Sequence, residues 1–141
     1  MISIIIPTRN EERIILNTIR GLQSLRKAKL CEIILVDGMS VDKTTEIATQ
    51  YVDKIITTIP NRGRQMNKGA EKATGETLVF LHADTEFTKN NCIRDIKSFY
   101  EWGFFKLSFN KKDLKYRILS FLINLRSVSY THLTLPTILL V

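Results

Sequence analysis

Ile2-Ser3-Ile4-Ile5-Ile6-Pro7-Thr8-Arg9-Asn10-Glu11-Glu12 is the stretch on which the fold turns. Its β-branched run reads as a short buried strand, and Pro7, which cannot donate to a sheet ladder, stops that strand before the polar Thr8-Arg9-Asn10. Asn10 or Thr8 caps the next helix, with Glu11 and Glu12 in its positive first turn. Ile15, Ile19, Leu22 and Leu25 then recur at helical spacing, which predicts that helix from about residue 11 to 26.

The same alternation repeats along the chain. Glu32-Ile33-Ile34-Leu35-Val36-Asp37 is a second apolar strand ending in a carboxylate, followed by Gly38-Met39-Ser40 and a helix start running through Ala48 and Tyr51. Lys54 to Ile59 is a third strand and Pro60-Asn61-Arg62-Gly63 a loop. Met66, Ala70 and Ala73 share a helical face that Gly75 can terminate. Thr77-Leu78-Val79-Phe80-Leu81 is a fourth strand, running into His82-Ala83-Asp84-Thr85. Ile93, Ile96 and Tyr100 mark another helix, Phe104 to Phe109 a strand, and Leu114 to Leu125 a last amphipathic helix. Strands apolar on both faces and alternating with helices imply an α/β fold: a mostly parallel sheet covered on both sides.

Composition narrows the class. The 141 residues are 44% hydrophobic and 25% charged, the balance of one globular domain rather than a disordered tail. Cys31 and Cys92 are too few for a disulfide framework and stand in no metal-ligand spacing, which favours a reducing, cytoplasmic setting. No uncharged apolar stretch reaches the roughly 18 to 20 residues that span a bilayer, and the N-terminus lacks the basic region of a signal peptide. The net charge of +7 is uneven: residues 1–103 carry 15 basic and 13 acidic groups, residues 104–127 six basic and one acidic. A basic segment of that kind can meet nucleic acid, an anionic membrane surface or an anionic substrate, because its field concentrates any of them.

In open α/β sheets ligands bind beyond the carboxyl ends of the strands. Three strand ends carry candidate chemistry: Pro7-Thr8-Arg9-Asn10-Glu11, Asp37-Gly38-Met39-Ser40 and His82-Ala83-Asp84. Together with Val41-Asp42-Lys43-Thr44, Arg62-Gly63-Arg64-Gln65-Met66-Asn67-Lys68-Gly69-Ala70 and Gly75-Glu76, they resemble the family 2 glycosyltransferases in several motifs and in the right order. Within that superfamily the chain is similar to a bacterial branch with a Leu-His-Ala-Asp-Thr metal motif and a later Asn-Leu-Arg-Ser, here Asn124 to Ser127. The resemblance covers residues 1 to about 127.

It implies the Rossmann-like GT-A fold, incomplete at the C-terminus, and transfer of a sugar from a nucleoside diphosphate sugar, UDP-linked, to an unknown acceptor with inversion. It also implies Mn²⁺ or Mg²⁺ held by Asp84, which would act in catalysis through the metal. Where most of the family has Asp-x-Asp this chain has His82-Ala83-Asp84, leaving one carboxylate there. Mg²⁺ can be held by one or two carboxylates plus phosphates and water, and imidazole at His82 would shift preference towards Mn²⁺ or bond the diphosphate. The leaving diphosphate gains charge in the transition state, so a cation and fixed positive groups stabilise it. Arg62 and Arg64 offer planar donor forks suited to phosphate. By resemblance, Asp37 accepts the imide hydrogen of uracil, Pro7, Thr8 and Glu11 surround the nucleoside, and Ala83 belongs to the same donor-binding set.

Each residue also has a plainer reading. Asp37 can cap its own turn, Asp84 can be a turn residue, His82 a hydrogen-bonded structural group, Arg62 and Arg64 a solvated helix start, and Glu12 a favourable charge at a helix N-terminus. Cys31 and Cys92 read as inert, and Trp102, Phe104 and Phe105 as core. Two other enzyme classes fit poorly: no glycine lies within Ile2 to Glu12 for a nucleotidyltransferase loop, and Gly63 and Gly69 do not make a dinucleotide fingerprint. The alternative without catalysis is a basic module on nucleic acid or a membrane surface. For nucleic acid it lacks a recognised motif, so the expected partners are the donor, the acceptor and a peripheral contact at the inner membrane face. Val128 to Thr137 matches nothing in the family and equals a translated transposon-type sequencing adapter, so residues 128–141 are expected to be a non-native tail. The acceptor site and the catalytic base are expected in a second half that this chain lacks, leaving it weakly active or inactive.

Overall fold

The computed structural model describes residues 1–85, 113–129 and 139–140. In chain order these form β1 (Ile2–Thr8), α1 (Ile15–Lys27), β2 (Cys31–Asp37), α2 (Thr44–Ala48), β3 (Lys54–Thr57), α3 (Arg62–Lys72), β4 (Thr77–Phe80), α4 (Leu114–Ser129) and β5 (Leu139–Leu140). The strands make one sheet in the order β3-β2-β1-β4-β5, and every pair is parallel. This is the α/β architecture that the alternation implies. The chain winds outward from β1 to β3, then α3 carries it back across to β4 on the other side of β1. That reversal puts a topological switch point between β1 and β4.

Both faces are covered. Ile2, Ile4, Ile6, Ile33, Leu35 and Val79 point to the face packed by Ile15, Ile19, Leu22 and Leu25 of α1 and Ala48 of α2. Ile5, Ile34, Val36 and Phe80 point to the other face, against Met66 and Ala70 of α3. The pleat assigns odd and even residues of β1 to opposite cores, which is why the strand reads as a continuous apolar run. β3, at the sheet edge, is covered less fully, and Ile55 is exposed. Gly69 lets α3 lie close on the sheet, since a Cβ there would come within 2.3 Å of Ile5 Cγ2.

Several boundaries differ from the sequence reading. Pro7 does not stop β1, which pairs with β2 through Pro7↔Val36 and Thr8↔Asp37. The carbonyl of Ile5 accepts from Leu81 on the β4 side and that of Thr8 from Gly38 on the β2 side. By alternation the nitrogen of Pro7 faces the β4 side, where the ladder has already ended at Ile5↔Phe80, so no donor is missed. Neither Asn10 nor Thr8 caps α1, which begins at Ile15 without a side-chain cap. Asn10 instead adopts left-handed backbone geometry, and the N–H groups of Glu11 and Glu12 bond to Thr44 Oγ1 and Asp42 Oδ2. Gly75 is not a left-handed helix stop: it allows close approach, because a Cβ would meet the Met1 carbonyl and Ser3 Oγ at 2.7 Å. Leu139 and Leu140 pair with Val79 and Phe80, which leaves the expectation of a non-native tail over residues 128–141 as it stands. Cys92, Trp102, the helix around Ile93 to Tyr100 and the strand Phe104 to Phe109 lie outside the described residues.

The amino ends of the strands are fastened by a buried polar cluster. Ser3 Oγ donates to Glu32 Oε1 at 2.5 Å and accepts from the N–H of Gly75 at 2.8 Å. The N–H and Oγ1 of Thr74 also donate to Glu32, and Lys54 Nζ reaches Oε2 at 2.9 Å. Burial pushes the Glu32 carboxyl up, but the bonds from Ser3, Thr74 and Lys54 outweigh it and hold the pKa at about 2 against an ordinary 4.5. A depressed carboxylate stabilises the fold fully above its unfolded value and loses that contribution as pH falls towards the folded one. Chemical denaturation between pH 4.5 and pH 2 is therefore expected to show a loss of about 2 kcal/mol that Glu32→Gln lacks. The variant should already be weaker at neutral pH by roughly 1 to 3 kcal/mol, and equal acid profiles would contradict the assignment.

Candidate functional site

At the switch point an open cleft of about 220 Å³ forms over the carboxyl ends of β1 and β4. The end of β1 supplies Pro7, Thr8 and Arg9, with Glu11 beyond them; α3 supplies Arg62 and Gln65; the segment after β4 supplies His82, Ala83 and Asp84. β1 outruns its pairing with β4, which ends at Ile5↔Phe80, and the divergence of the two chains beyond that point opens the space.

The walls are held by named bonds. Gln65 is buried, and its Nε2 donates to the carbonyls of Thr8 and Val36, each at 2.8 Å, tying α3 to the ends of β1 and β2. Asn61 caps α3 by accepting from the N–H of Arg64 at 3.0 Å, which fixes where Arg62 begins the helix. Thr18 of α1 donates to the carbonyl of Ala83 at 2.5 Å, and the N–H of Thr85 closes a turn on the carbonyl of His82. Thr8 is 2% exposed, and its Oγ1 is the one buried side-chain polar atom without a hydrogen-bond partner among the described residues. A buried hydroxyl left in this state costs stability that a ligand atom can recover.

The charges are mixed. Burial raises the pKa of Glu11, and the neighbouring carboxylates of Asp84 and then Asp42 raise it further. Burial lowers the pKa of His82, and the Arg62 guanidinium lowers it more, against an opposing pull from Asp84. Arg62 Nη2 lies against the ring nitrogens of His82, where a neutral imidazole can accept its hydrogen. Two carboxylates, one imidazole and the cations of Arg9 and Arg62 thus share one small cleft.

Of the residues singled out from sequence, Pro7, Thr8, Glu11, Arg62, His82, Ala83 and Asp84 line this cleft together. Asp37 and Arg64 do not. Asp37 is 2% exposed, and its two oxygens accept from the hydroxyl and the N–H of Ser40, a cap on its own turn. Arg64 is exposed on α3. Arg9 and Gln65 line the cleft without having been singled out. Arg9 immediately follows a strand end, which is signal enough to include it. Gln65 carries no such mark, because only the packing of α3 shows that it faces inward.

Among the described residues no three His, Cys, Asp or Glu side chains are grouped to hold a metal ion. The donor set still suits a hard divalent cation of the kind that takes one or two carboxylates and completes its shell with phosphate oxygens and water. Asp84 and Glu11 are near enough to raise the pKa of Glu11, a repulsion that a cation would relieve.

Comparison with known proteins adds a family. The sequence profile described as "Glycosyl transferase family 2" matches residues 3–113. The probable glycosyltransferase YdaM of Bacillus subtilis (strain 168) is 31% identical over 94 residues, which cover 59% of this chain and 22% of that protein. The crystal structure of S. aureus TarS 1-349 in complex with UDP-GlcNAc is similar at a TM-score of 0.66 and 23% identity, covering 80% of this chain and 36% of that one. The M. tuberculosis glucosyl-3-phosphoglycerate synthase complex with Mn²⁺, UDP and glucosyl-3-phosphoglycerate gives a TM-score of 0.55 at 21% identity, over 61% of this chain and 35% of that one.

Replacing the orphaned hydroxyl by a methyl of the same shape removes its desolvation penalty. Thr8→Val is therefore expected to stabilise the ligand-free protein by roughly 1 kcal/mol in denaturant titration. A loss of stability would mean that the hydroxyl has a partner after all.

Proposed function

The chain belongs to glycosyl transferase family 2, and on that premise we propose that its cleft is the donor site of an enzyme moving a sugar from a nucleoside diphosphate sugar, UDP-linked, to an acceptor. The observation that carries this reading is the buried, unpartnered hydroxyl of Thr8 in a cleft that also holds two carboxylates and two guanidinium groups. An apolar ligand would leave all of them unsatisfied. A nucleoside diphosphate brings hydrogen-bonding groups, phosphate oxygens for Arg62 and Arg9, and the oxygens that a cation beside Asp84 needs. The UDP and Mn²⁺ named in the M. tuberculosis complex support the same assignment.

In the reaction, the bond from the anomeric carbon to the diphosphate oxygen breaks while the acceptor oxygen bonds that carbon from the opposite side, which inverts it. Negative charge accumulates on the departing diphosphate. Asp84, with Glu11, would hold Mg²⁺ or Mn²⁺, which when bound supplies electrostatic stabilisation of that charge. Arg62 and Arg9 bring fixed positive charge to the same place, and Arg62 exchanges its contact with His82 for phosphate oxygens. Thr8 hydrogen-bonds the nucleoside. Asp37, by anchoring Ser40, shapes the turn beside Thr8, and its remaining lone pairs can still accept an imide hydrogen. This chain spans 22% of the length of YdaM, and neither the acceptor site nor the base that takes its proton is assigned to the described residues.

Isothermal titration of the chain with UDP is expected to give saturable binding in Mn²⁺ that weakens when EDTA replaces the ion. Asp84→Ala should cost at least about tenfold in affinity with Mn²⁺ and little in EDTA, because a carboxylate ligand is worth on the order of 1.4 kcal/mol or more. Absence of saturable UDP binding in Mn²⁺, or an Asp84→Ala titration matching wild type, would refute the reading.

A further inference from the structure

Gln65 lines the cleft at 5% exposure, and its amide has one possible orientation. The atom 2.8 Å from both the Thr8 and the Val36 carbonyl must carry hydrogens, because two carbonyl oxygens can only accept. Both hydrogens of Nε2 are therefore spent on main chain, and turning the amide over would set its oxygen against two others. The polar atom left to meet a ligand is Oε1, a pure acceptor. Thr8 Oγ1 is the one buried side-chain polar atom without a partner among the described residues, and no described group donates to Gln65 Oε1, so that oxygen keeps an exposed edge. Gly38 is packed against the same amide: a Cβ there would stand 3.1 Å from Nε2 and 3.3 Å from Cδ.

We propose that Gln65 is a specificity-determining residue, its Oε1 accepting a hydrogen from an N–H or O–H group of the donor's nucleoside. The inference rests on the reading of the cleft as a nucleotide-sugar site. A diphosphate at neutral pH presents acceptors only, so a fixed oxygen repels it and leaves it to the β4 side, where Arg62 meets His82 and Asp84 follows. Gln65 is tied instead to the ends of β1 and β2, beside Thr8. Arg62 and Gln65 stand three residues apart on one face of α3. One helix thus offers a cation to phosphate and an acceptor to the nucleoside. Uridine carries three groups that can fill the second role: the imide N–H and the 2′ and 3′ hydroxyls. Cytidine replaces the first by a lone pair, which would face the lone pairs of Oε1.

Isothermal titration in Mn²⁺ with UDP, CDP, 2′-deoxy-UDP and 3′-deoxy-UDP, on wild type and Gln65→Met, tests it. Wild type is expected to bind one of the three analogues at least about tenfold more weakly than UDP, because that analogue leaves Oε1 unpaired, and its identity names the group. In Gln65→Met that ratio should fall to about one. Should this variant fail to fold, Gln65→Lys, whose ammonium can still donate to both carbonyls and has no lone pair, should abolish the same ratio. A common loss for all four ligands would mean that Gln65 only holds β1 to β2, and would overturn the proposal. So would a ratio that survives both substitutions, or a wild type that binds all four alike. Failure of UDP to bind at all would refute the cleft's assignment and this inference with it, whereas saturable UDP binding without such a ratio refutes the role of Gln65 alone.

Discussion

The central placement of β1 is the constraint on which the rest depends. On one side it is paired with β2 through seven residues, from Ile2↔Cys31 to Thr8↔Asp37; on the other it is paired with β4 through only four, from Ile2↔Thr77 to Ile5↔Phe80. That inequality makes the cleft. Had β4 run as far as β2, its backbone would occupy the space over Pro7 and Thr8, and His82 to Asp84 would continue a ladder instead of forming a wall. Pro7 is compatible with this arrangement because its missing donor faces the side where pairing has stopped.

A second constraint fixes the loops above the sheet. The segments after β1 and β2 bond to each other as well as to their own helices: Asn10 accepts from Val41 and donates its N–H to Ser40, and Glu12 accepts from Lys43 while its N–H bonds Asp42. Asp42 carries several such bonds; burial would raise its pKa, but the bonds from Thr44 and the N–H of Glu12 outweigh that and lower it. Left-handed backbone at Asn10 and Met39 gives the loops the turns this interlock needs. Glu11 is thereby delivered to the cleft as part of a stitched pair of loops. Asp37 contributes in the same way, by holding Ser40, which in turn holds Asn10.

Much of this was legible because apolar runs and helical spacing report burial directly. Ile2 to Ile6 and Ile33 to Val36 read as strands covered on both faces, and the strand-end rule together with the family resemblance then named seven of the nine residues that line the cleft. What escaped prediction depends on partners distant in sequence. Gln65 is distinguished from the exposed Arg64 only by how α3 lies on the sheet, which Gly69 and Ile5 decide. The late start of α1 depends on Thr44 and Asp42 capturing N–H groups 30 or more residues away. Gly75 suggested a helix stop but serves a close approach to Met1 and Ser3, a tertiary fact that no local pattern carries. Asp37 is accounted for both by family resemblance and by local turn chemistry, and its bonds to Ser40 form the turn cap.

The two ends of the sheet are built on opposite principles. At the amino ends, Glu32 receives bonds from Ser3, Thr74 and Lys54, and Gly75 completes the set through Ser3. A fully bonded cluster of this kind rigidifies its surroundings, and Lys54 extends it to the carbonyl of Lys72 at the end of α3. At the carboxyl ends the polar groups are left partly unmatched: Thr8 Oγ1 has no partner among the described residues, Glu11 and Asp84 repel, and Arg62 rests on the His82 ring. Neither arrangement is accidental in its position, because α3 joins them. Its last turn is fastened at the satisfied end, while its first turn presents Arg62 and Gln65 at the unsatisfied one. A rigid helix anchored away from the cleft allows the cleft to stay open and incompletely bonded without the strands rearranging to fill it. The stability withheld at one rim is thus made tolerable by bonding concentrated at the other, and the withheld part is what a charged, hydrogen-bonding ligand can supply.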